Sequence, residues 1–151
     1  MTNTKENIRL ISHRGNLYGP KPKKENSVNY ITDALSLGFD VEVDFWVHDE
    51  NFFLGHDYPQ YKINLNFIEK WSKKLWIHCK NMEALCFLSG YNFINYFWHE
   101  KDSATLTSHG YIWAYPGKQP IKNSIAVMPE IYNDDTSQCF GLCSDYIGNL
   151  S

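Results

Sequence analysis

The chain has 151 residues, of which 43% are hydrophobic and 21% are charged, a composition typical of a single domain spanning residues 1–151. The net charge of −3 argues against a nucleic-acid partner, because a protein that grips the phosphate backbone needs a basic face. The sequence has neither an apolar run long enough to cross a membrane nor an apolar leader segment. We therefore predict a cytoplasmic protein with no membrane span.

The first half of the chain alternates between short apolar runs typical of strands and stretches with helical spacing. A helix at 27–37 is indicated by the spacing of Val28, Ile31 and Leu35, and Gly38 follows its end. The other helices predicted in this half are 65–72 and 82–88, and the predicted strands are 8–12, 39–47, 52–54 and 75–79.

The second half of the chain is dominated by strand-like runs, predicted at 93–98, 104–107, 111–115, 125–128 and 140–144. Several gaps between them are too short for a full crossover helix. Without the short run at 52–54, the chain has eight predicted strands, with helices between the early ones. We therefore predict an α/β fold, a compact (β/α)8 TIM-type barrel with reduced helices in its C-terminal half.

A barrel that lacks outer helices exposes apolar surface on its strands. The C-terminal half carries a concentration of aromatic residues, namely Phe97, Trp98, Tyr111, Trp113 and Tyr115. A second copy of the chain would cover such a face, so the pattern predicts a homodimer.

Polar and titratable side chains follow several of the predicted strands, in the segments 12–15, 41–44, 55–57 and 77–80. Glu42 and Asp44 are two residues apart, so both side chains point to one face of a strand. This pair is costly to bury unless a cation or a basic group such as Arg14 lies between the carboxylates. In a parallel barrel the carboxyl ends of the strands meet at one mouth, where active sites lie. We expect these segments to meet there.

Four short motifs occur in a distinctive order over roughly residues 8–80, namely His13-Arg14-Gly15, Glu25-Asn26-Ser27, Glu42-Val43-Asp44 and His56-Asp57. Their order and spacing resemble the glycerophosphodiester phosphodiesterase family and, more loosely, the wider superfamily of phosphatidylinositol-phospholipase-C-like phosphodiesterases. A weaker match is the segment 141–146, Gly-Leu-Cys-Ser-Asp-Tyr, which looks like the closing strand of that family. The chain is thus similar to a compact, divergent member.

The resemblance implies a metal-dependent phosphodiesterase that hydrolyses a glycerophosphodiester or a related phosphodiester derived from a small molecule, a lipid or a polymer. It implies that His13 and His56 form a general acid–base pair. It also implies that Arg14 and Lys80 bind the phosphate, Arg14 through a fork of donors and Lys80 as a point charge. Two alternatives stay open: a non-catalytic module that binds a phosphate ligand, and a lyase that releases a cyclic phosphate.

The resemblance further implies that Glu42 and Asp44 hold one divalent cation, Mg²⁺ or Ca²⁺. The sequence departs from the family at residue 78, where the family has an acidic third ligand and this chain has His78. Imidazole suits Mn²⁺, Zn²⁺ or Fe²⁺ better than Mg²⁺ or Ca²⁺. Three interpretations follow: a changed metal preference, such as Mn²⁺; a cation held by Glu42, Asp44 and water; or a site that no longer binds a metal. Glu25 is a further candidate ligand.

Overall fold

The computed structural model describes residues 8–151, which contain ten strands and three α-helices. The strands are β1 (Arg9–His13), β2 (Asp40–His48), β3 (Asn51–Leu54), β4 (Tyr61–Ile63), β5 (Leu75–Cys79), β6 (Tyr96–Trp98), β7 (Ala104–Leu106), β8 (Ile112–Ala114), β9 (Ser124–Val127) and β10 (Gly141–Ser144). The helices are α1 (Val28–Ser36), α2 (Leu65–Lys70) and α3 (Met82–Leu88), and 3₁₀ turns follow β9 at Pro129–Ile131 and β10 at Ile147–Leu150.

All the strands belong to one sheet, whose main path is β6-β5-β2-β1-β10-β9-β8-β7. Neighbours on this path are parallel except β7 and β8. The first half of β2 pairs with β5, whereas its second half pairs with β3 in an antiparallel hairpin that β4 extends. The last strand of the chain, β10, lies between β1 and β9. Residues from both ends of the chain therefore meet in the middle of the sheet.

The predicted (β/α)8 TIM-type barrel is wrong. Residues 8–151 form a mixed, curled half-barrel sheet accompanied by only 3 α-helices. All three α-helices end at or before Leu88. Beyond that residue the chain passes from β8 to β9 and from β9 to β10 through loops and one 3₁₀ turn. These connections lack the outer helices that define a (β/α)8 barrel, because so little chain separates the strands.

The two faces of the sheet differ because successive side chains of a strand point to opposite sides. In β2, the odd-numbered Val41, Val43 and Phe45 pack in the largest hydrophobic cluster, against the helices. Asp40, Glu42 and Asp44 alternate with them, so these three buried carboxylates share the concave face. The concave face is otherwise packed with apolar side chains from six further strands, namely Ile11, Trp76, Phe97, Trp113, Ile125, Val127 and Cys143.

Helices α1 and α3 cover the convex face next to β2. Ile31, Ala34 and Leu35 of α1 are buried there, and Gly38 takes the positive φ that commonly follows a helix. Asn81 caps α3, because its side-chain Oδ1 accepts a hydrogen bond from Ala84 N at 3.0 Å. None of the helices within residues 8–151 has the length and apolar character that a membrane crossing requires.

The aromatic residues of the C-terminal half point mainly into the molecule. Phe97 and Trp113 are each only 2% exposed and belong to the cluster on the concave face. Trp98, Tyr111 and Tyr115 are half-buried. The curled sheet covers much of these side chains itself, and the homodimer stays a prediction.

Candidate active site

A cavity of about 480 Å³ lies at the carboxyl ends of the parallel strands. Because parallel strands end at the same edge of a sheet, the side chains that follow them converge there. The titratable part of its lining includes six residues predicted from the sequence, namely His13, Arg14, Glu42, His56, His78 and Lys80. The rest is largely aromatic and apolar, including Phe97, Trp113, Tyr115, Pro116 and Met128. The structure thus brings the predicted segments into one cavity.

Asp44 is fully buried and connects several parts of this site. Asn26 Nδ2 donates a hydrogen bond to Asp44 Oδ2 at 2.9 Å, and Asn26 Oδ1 accepts one from Asp44 N at 3.0 Å. Arg14 Nε and His56 Nδ1 lie 3.1 Å and 3.5 Å from Asp44 Oδ2. His78 Nδ1 lies 3.2 Å from the other oxygen, Oδ1. One carboxylate therefore joins side chains from four separate segments.

The basic groups around Asp44 determine its protonation state. Burial alone would raise the pKa of Asp44, but contacts with His56 and His78 and the charge of Arg14 hold this pKa well below its ordinary value. Burial would likewise lower the pKa of Arg14, yet the charges of Asp44 and Glu42 raise it. Asp44 is therefore a carboxylate and Arg14 a guanidinium cation throughout the physiological pH range.

The loop after β1 reaches Asp44 through unusual backbone conformations. Arg14 and Asn26 have φ values of 60° and 67°, in the left-handed region that non-glycine residues seldom occupy. Gly15 follows with φ 96°, and a Cβ at that position would lie 2.5 Å from the ring of Tyr30. Glycine is required there because a side chain has no space. This local backbone strain is offset by the contacts that Arg14 and Asn26 make with Asp44.

Glu42 is the second buried carboxyl group of the site, and it is only 3% exposed. Burial and the neighbouring charge of Asp44 raise the pKa of Glu42 well above its ordinary value, although Arg14 and Lys80 act in the opposite direction. Its Oε1 is 3.7 Å from His13 Nε2. Within residues 8–151, this oxygen is buried without a hydrogen-bond partner. Such an atom is costly unless a proton or a cation satisfies it.

Glu42, Asp44 and His78 form a group that fits a cation. One potential ligand atom from each of these residues lies within 4.8 Å of the other two. Asp44 Oδ1, like Glu42 Oε1, is buried and has no hydrogen-bond partner within residues 8–151. Two carboxylate oxygens and an imidazole nitrogen are donors that divalent ions accept. The donor set therefore suits a divalent cation, and we call these three residues the cation cluster.

His13 is oriented by a carboxylate from the far end of the chain. Its Nδ1–H donates to Asp145 Oδ1 at 2.7 Å, and Asn16 Nδ2 donates to the same oxygen at 2.9 Å. Burial opposes ionisation of Asp145, but these hydrogen bonds and the charges of His13 and Arg14 lower its pKa. The ionised Asp145 fixes the orientation of the His13 ring and leaves Nε2 on the side of Glu42.

His56 lies at the rim of the site, with 44% of its side chain exposed. Arg14 Nη2 donates to His56 Nε2 at 3.4 Å, and because a guanidinium only donates, Nε2 is an acceptor in this contact. The proton of a neutral His56 ring is then on Nδ1, which faces Asp44 Oδ2. Gly55 positions this loop, because a Cβ there would collide with the backbone oxygen of Tyr58. His56 therefore lies between Arg14 and Asp44, with Nε2 toward the first and Nδ1 toward the second.

Lys80 and Glu25 occupy different positions relative to the cation cluster. Lys80 lines the cavity, and its charge reaches Glu42, whose pKa it lowers. Glu25 instead accepts a hydrogen bond from Arg14 Nη1 at 3.3 Å and another from the backbone N–H of Lys21 at 2.8 Å. Glu25 thus positions Arg14 and is not a member of the cluster.

Sequence reasoning missed two functional residues, Asp145 and Asn26. Asp145 follows β10 directly, in the same position relative to its strand as the polar residues that follow β1 and β5. Its position at a strand end is the signal in the sequence that points to it. Asn26 belongs to the motif that follows the first loop, but its role depends on a left-handed backbone that composition does not reveal.

Removing the charge of Glu42 should stabilise the metal-free protein. We expect Glu42→Gln to raise the free energy of unfolding by about 1 to 3 kcal/mol near pH 8, because the wild-type chain buries an unsatisfied carboxyl group. The pKa of Glu42 is raised by folding, so its contribution to wild-type stability is complete below about pH 4 and is lost as pH rises through the folded-state pKa. The gain should therefore grow between about pH 5 and pH 8.

Urea denaturation in the presence of a chelator measures this gain. Glu69→Gln is the matched control, because Glu69 is exposed on α2 and the change removes the same charge. Equal stability of Glu42→Gln and wild type at pH 8, or a gain of the same size in the control, would contradict the proposed burial cost.

No protein-family model matches the chain, and neither the curated proteins nor the solved structures include a match to it. The case for a function therefore depends on the geometry of the site and on the motifs in the sequence.

Proposed function

We propose that this chain is a metal-dependent phosphodiesterase of the glycerophosphodiester type. The observation that carries the proposal is that a carboxylate-oriented histidine, His13 with Asp145, shares one cavity with the cation cluster. Phosphate binding alone has no need of an oriented acid–base group. The combination of such a group with a cation site and two basic side chains suits hydrolysis of a doubly esterified phosphate.

Arg14 and Lys80 are the groups that bind the phosphodiester anion. Arg14 is held on two sides, by Glu25 and by His56, through single hydrogen bonds from Nη1 and Nη2. A guanidinium has five N–H donors, so Arg14 keeps donors for phosphate oxygens. Lys80 adds a point charge in the same cavity.

The cation cluster supplies the second part of the phosphate site. Glu42 and Asp44 would hold a divalent cation, which would neutralise phosphate oxygens and the charge that develops on them. Asn26 and Arg14 fix the Asp44 carboxylate, so its free oxygen stays directed toward the cluster. Arg14 also keeps Asp44 ionised, as a ligand must be.

His13 and His56 divide the two proton transfers. His13 is bonded to Asp145 through Nδ1 and keeps Nε2 toward the cavity, so we assign it the role of the acid. His56 lies at the exposed rim, where an attacking hydroxyl group can approach, so we assign it the role of the base. His56 takes the proton of the attacking hydroxyl group, which belongs to water in hydrolysis and to the substrate in a lyase, as the new P–O bond forms. His13 gives a proton to the alcohol oxygen as the old P–O bond breaks.

Hydrolysis by the chelator-stripped protein tests the proposal. The substrates are bis(p-nitrophenyl) phosphate and glycerophosphodiesters with different headgroups, with Mg²⁺, Ca²⁺, Mn²⁺ or Zn²⁺ added back singly. We expect metal-dependent turnover that Lys80→Met reduces about 10- to 100-fold, because a cation that contacts the phosphate is lost. Lys73→Met is the matched control, since Lys73 lines a separate cavity at the other end of the sheet.

Phosphorus NMR of the products distinguishes the two alternatives. A phosphomonoester as the first product supports hydrolysis, whereas an accumulating cyclic phosphate identifies a lyase. Inactivity with every metal and substrate, combined with tight binding of a phosphodiester, would contradict the proposed enzymatic function and support a non-catalytic binding module.

A further inference from the structure

The imidazole ring of His78 is held in one orientation. Its plane stacks on Phe97, with ring centroids 5.1 Å apart and an interplanar angle of 11°. Its Nε2 lies 3.2 Å from the backbone oxygen of His99. The side chain of His99 is itself stacked on Tyr115, at a centroid separation of 3.9 Å. The ring of His78 therefore cannot turn freely within the cavity.

The contact with His99 determines which nitrogen of His78 carries the proton. A backbone carbonyl only accepts hydrogen bonds, so His78 Nε2 must be the donor. In the neutral ring, Nδ1 then has a free lone pair. This is the arrangement in which metal-binding histidines are held in proteins, with one nitrogen donating to a carbonyl and the other available to the metal.

The surroundings of His78 Nδ1 suit a bound cation. Nδ1 is 3.2 Å from Asp44 Oδ1, an oxygen that has no hydrogen-bond partner among residues 8–151. At this distance either a proton on Nδ1 or a metal ion must lie between the ring nitrogen and the carboxylate oxygen. Two ligand atoms that each lie about 2.1 Å from one ion are about 3 to 3.4 Å apart, which matches the separation observed.

From these contacts we infer that the cavity selects a transition-metal ion of the Zn²⁺ and Mn²⁺ class over Mg²⁺ and Ca²⁺. His78 Nδ1 is the selective ligand, and the backbone carbonyl of His99 keeps it available. The inference rests on the proposed function for the presence of a cation at Glu42 and Asp44, and it adds the identity of the metal. Imidazole nitrogen is the ligand that separates the two classes, because Mg²⁺ and Ca²⁺ prefer oxygen.

Calorimetric titration of the chelator-stripped protein with each metal chloride tests this inference. Zn²⁺ should bind at least about 100-fold more tightly than Mg²⁺ or Ca²⁺. His78→Gln should reduce Zn²⁺ affinity by about 100-fold or more. His78→Glu should narrow the preference for Zn²⁺ over Mg²⁺ by raising Mg²⁺ affinity, since glutamate supplies an oxygen ligand. His48→Gln is the matched control, because His48 is 69% exposed and lies outside the cavity lining.

Nitrogen NMR of ¹⁵N-labelled histidine gives a second readout that is independent of activity. His78 should keep the proton on Nε2 both with and without metal, and the Nδ1 resonance should shift strongly when Zn²⁺ is added. A proton on Nδ1 that Zn²⁺ does not displace would overturn the inference, because the contact with Asp44 would then be an ordinary ion pair.

The inference and the proposed function fail in different ways. Equal affinities for Zn²⁺ and Mg²⁺, unchanged in His78→Gln, in a protein that hydrolyses phosphodiesters would overturn the inference alone. Zn²⁺ binding that depends on His78, in a protein with no hydrolytic activity, would support the inference and overturn the proposed function.

Discussion

Replacing His13 with alanine is expected to lower phosphodiester turnover by about 10²- to 10⁴-fold, the usual contribution of a general acid. The reason is that His13 makes the shortest of the histidine–carboxylate contacts in the described cavity, 2.7 Å to Asp145 Oδ1, and this contact fixes its ring for proton transfer. Metal affinity should change little, because His13 is not a member of the cation cluster. Turnover at saturating metal, with the melting temperature of the variant measured in parallel, checks both expectations.

Two further variants sharpen this test. His48→Ala removes an exposed histidine and should leave turnover unchanged. Asp145→Asn keeps the shape of the positioning residue but removes its charge. It should lower turnover, because the ring of His13 loses the carboxylate that fixes its orientation. Near-normal turnover in His13→Ala would exclude His13 from the mechanism.

Asp44→Asn is expected to reduce turnover by about 10³-fold or more, since it removes a carboxylate that would hold the cation. It should also lower the free energy of unfolding of the metal-free protein by about 3 kcal/mol, because it leaves the partly buried Arg14 without its closest anion. The pKa of Asp44 is lowered by folding, so this stability is present above about pH 4 and is lost as pH falls through the folded-state pKa.

The comparison with Glu42→Gln makes the test of Asp44→Asn specific. Both variants should lose the cation and turnover, but they should change metal-free stability in opposite directions. A buried carboxylate with basic partners stabilises the fold, whereas a buried carboxyl group next to another anion does not. Destabilisation of similar size in both variants would contradict the different electrostatic surroundings inferred for the two residues.

The sequence predicted the individual elements well but not their assembly. The predicted strand 75–79 and helix 82–88 coincide with β5 and α3, because apolar spacing and the Asn81 cap are local signals. The barrel prediction failed because counting strands does not reveal how the connections between them pack. The antiparallel pairing of β7 with β8, and the division of β2 between two partners, depend on contacts between distant residues. A motif-based resemblance does not contain that information.

The site was more predictable than the fold around it, since the side-chain alternation of a strand is a strict rule. It places Glu42 and Asp44 on one face whatever the sheet becomes, and the ends of β1 and β5 then supply His13, Arg14 and His78. The partners of these residues could not be predicted. The Asp145–His13 hydrogen bond joins the last strand to the first, and the His78–His99 contact depends on where β6 ends.

The position of β10 between β1 and β9 governs when the site can form during synthesis. A chain still growing on the ribosome has residues 13–80, and with them the cation cluster, long before it has Asp145. Until β10 inserts, β1 and β9 have no common neighbour, and the two halves of the sheet are not joined at this point. The hydrogen bond that orients His13 is therefore the last of the described contacts in the cavity that the growing chain can make.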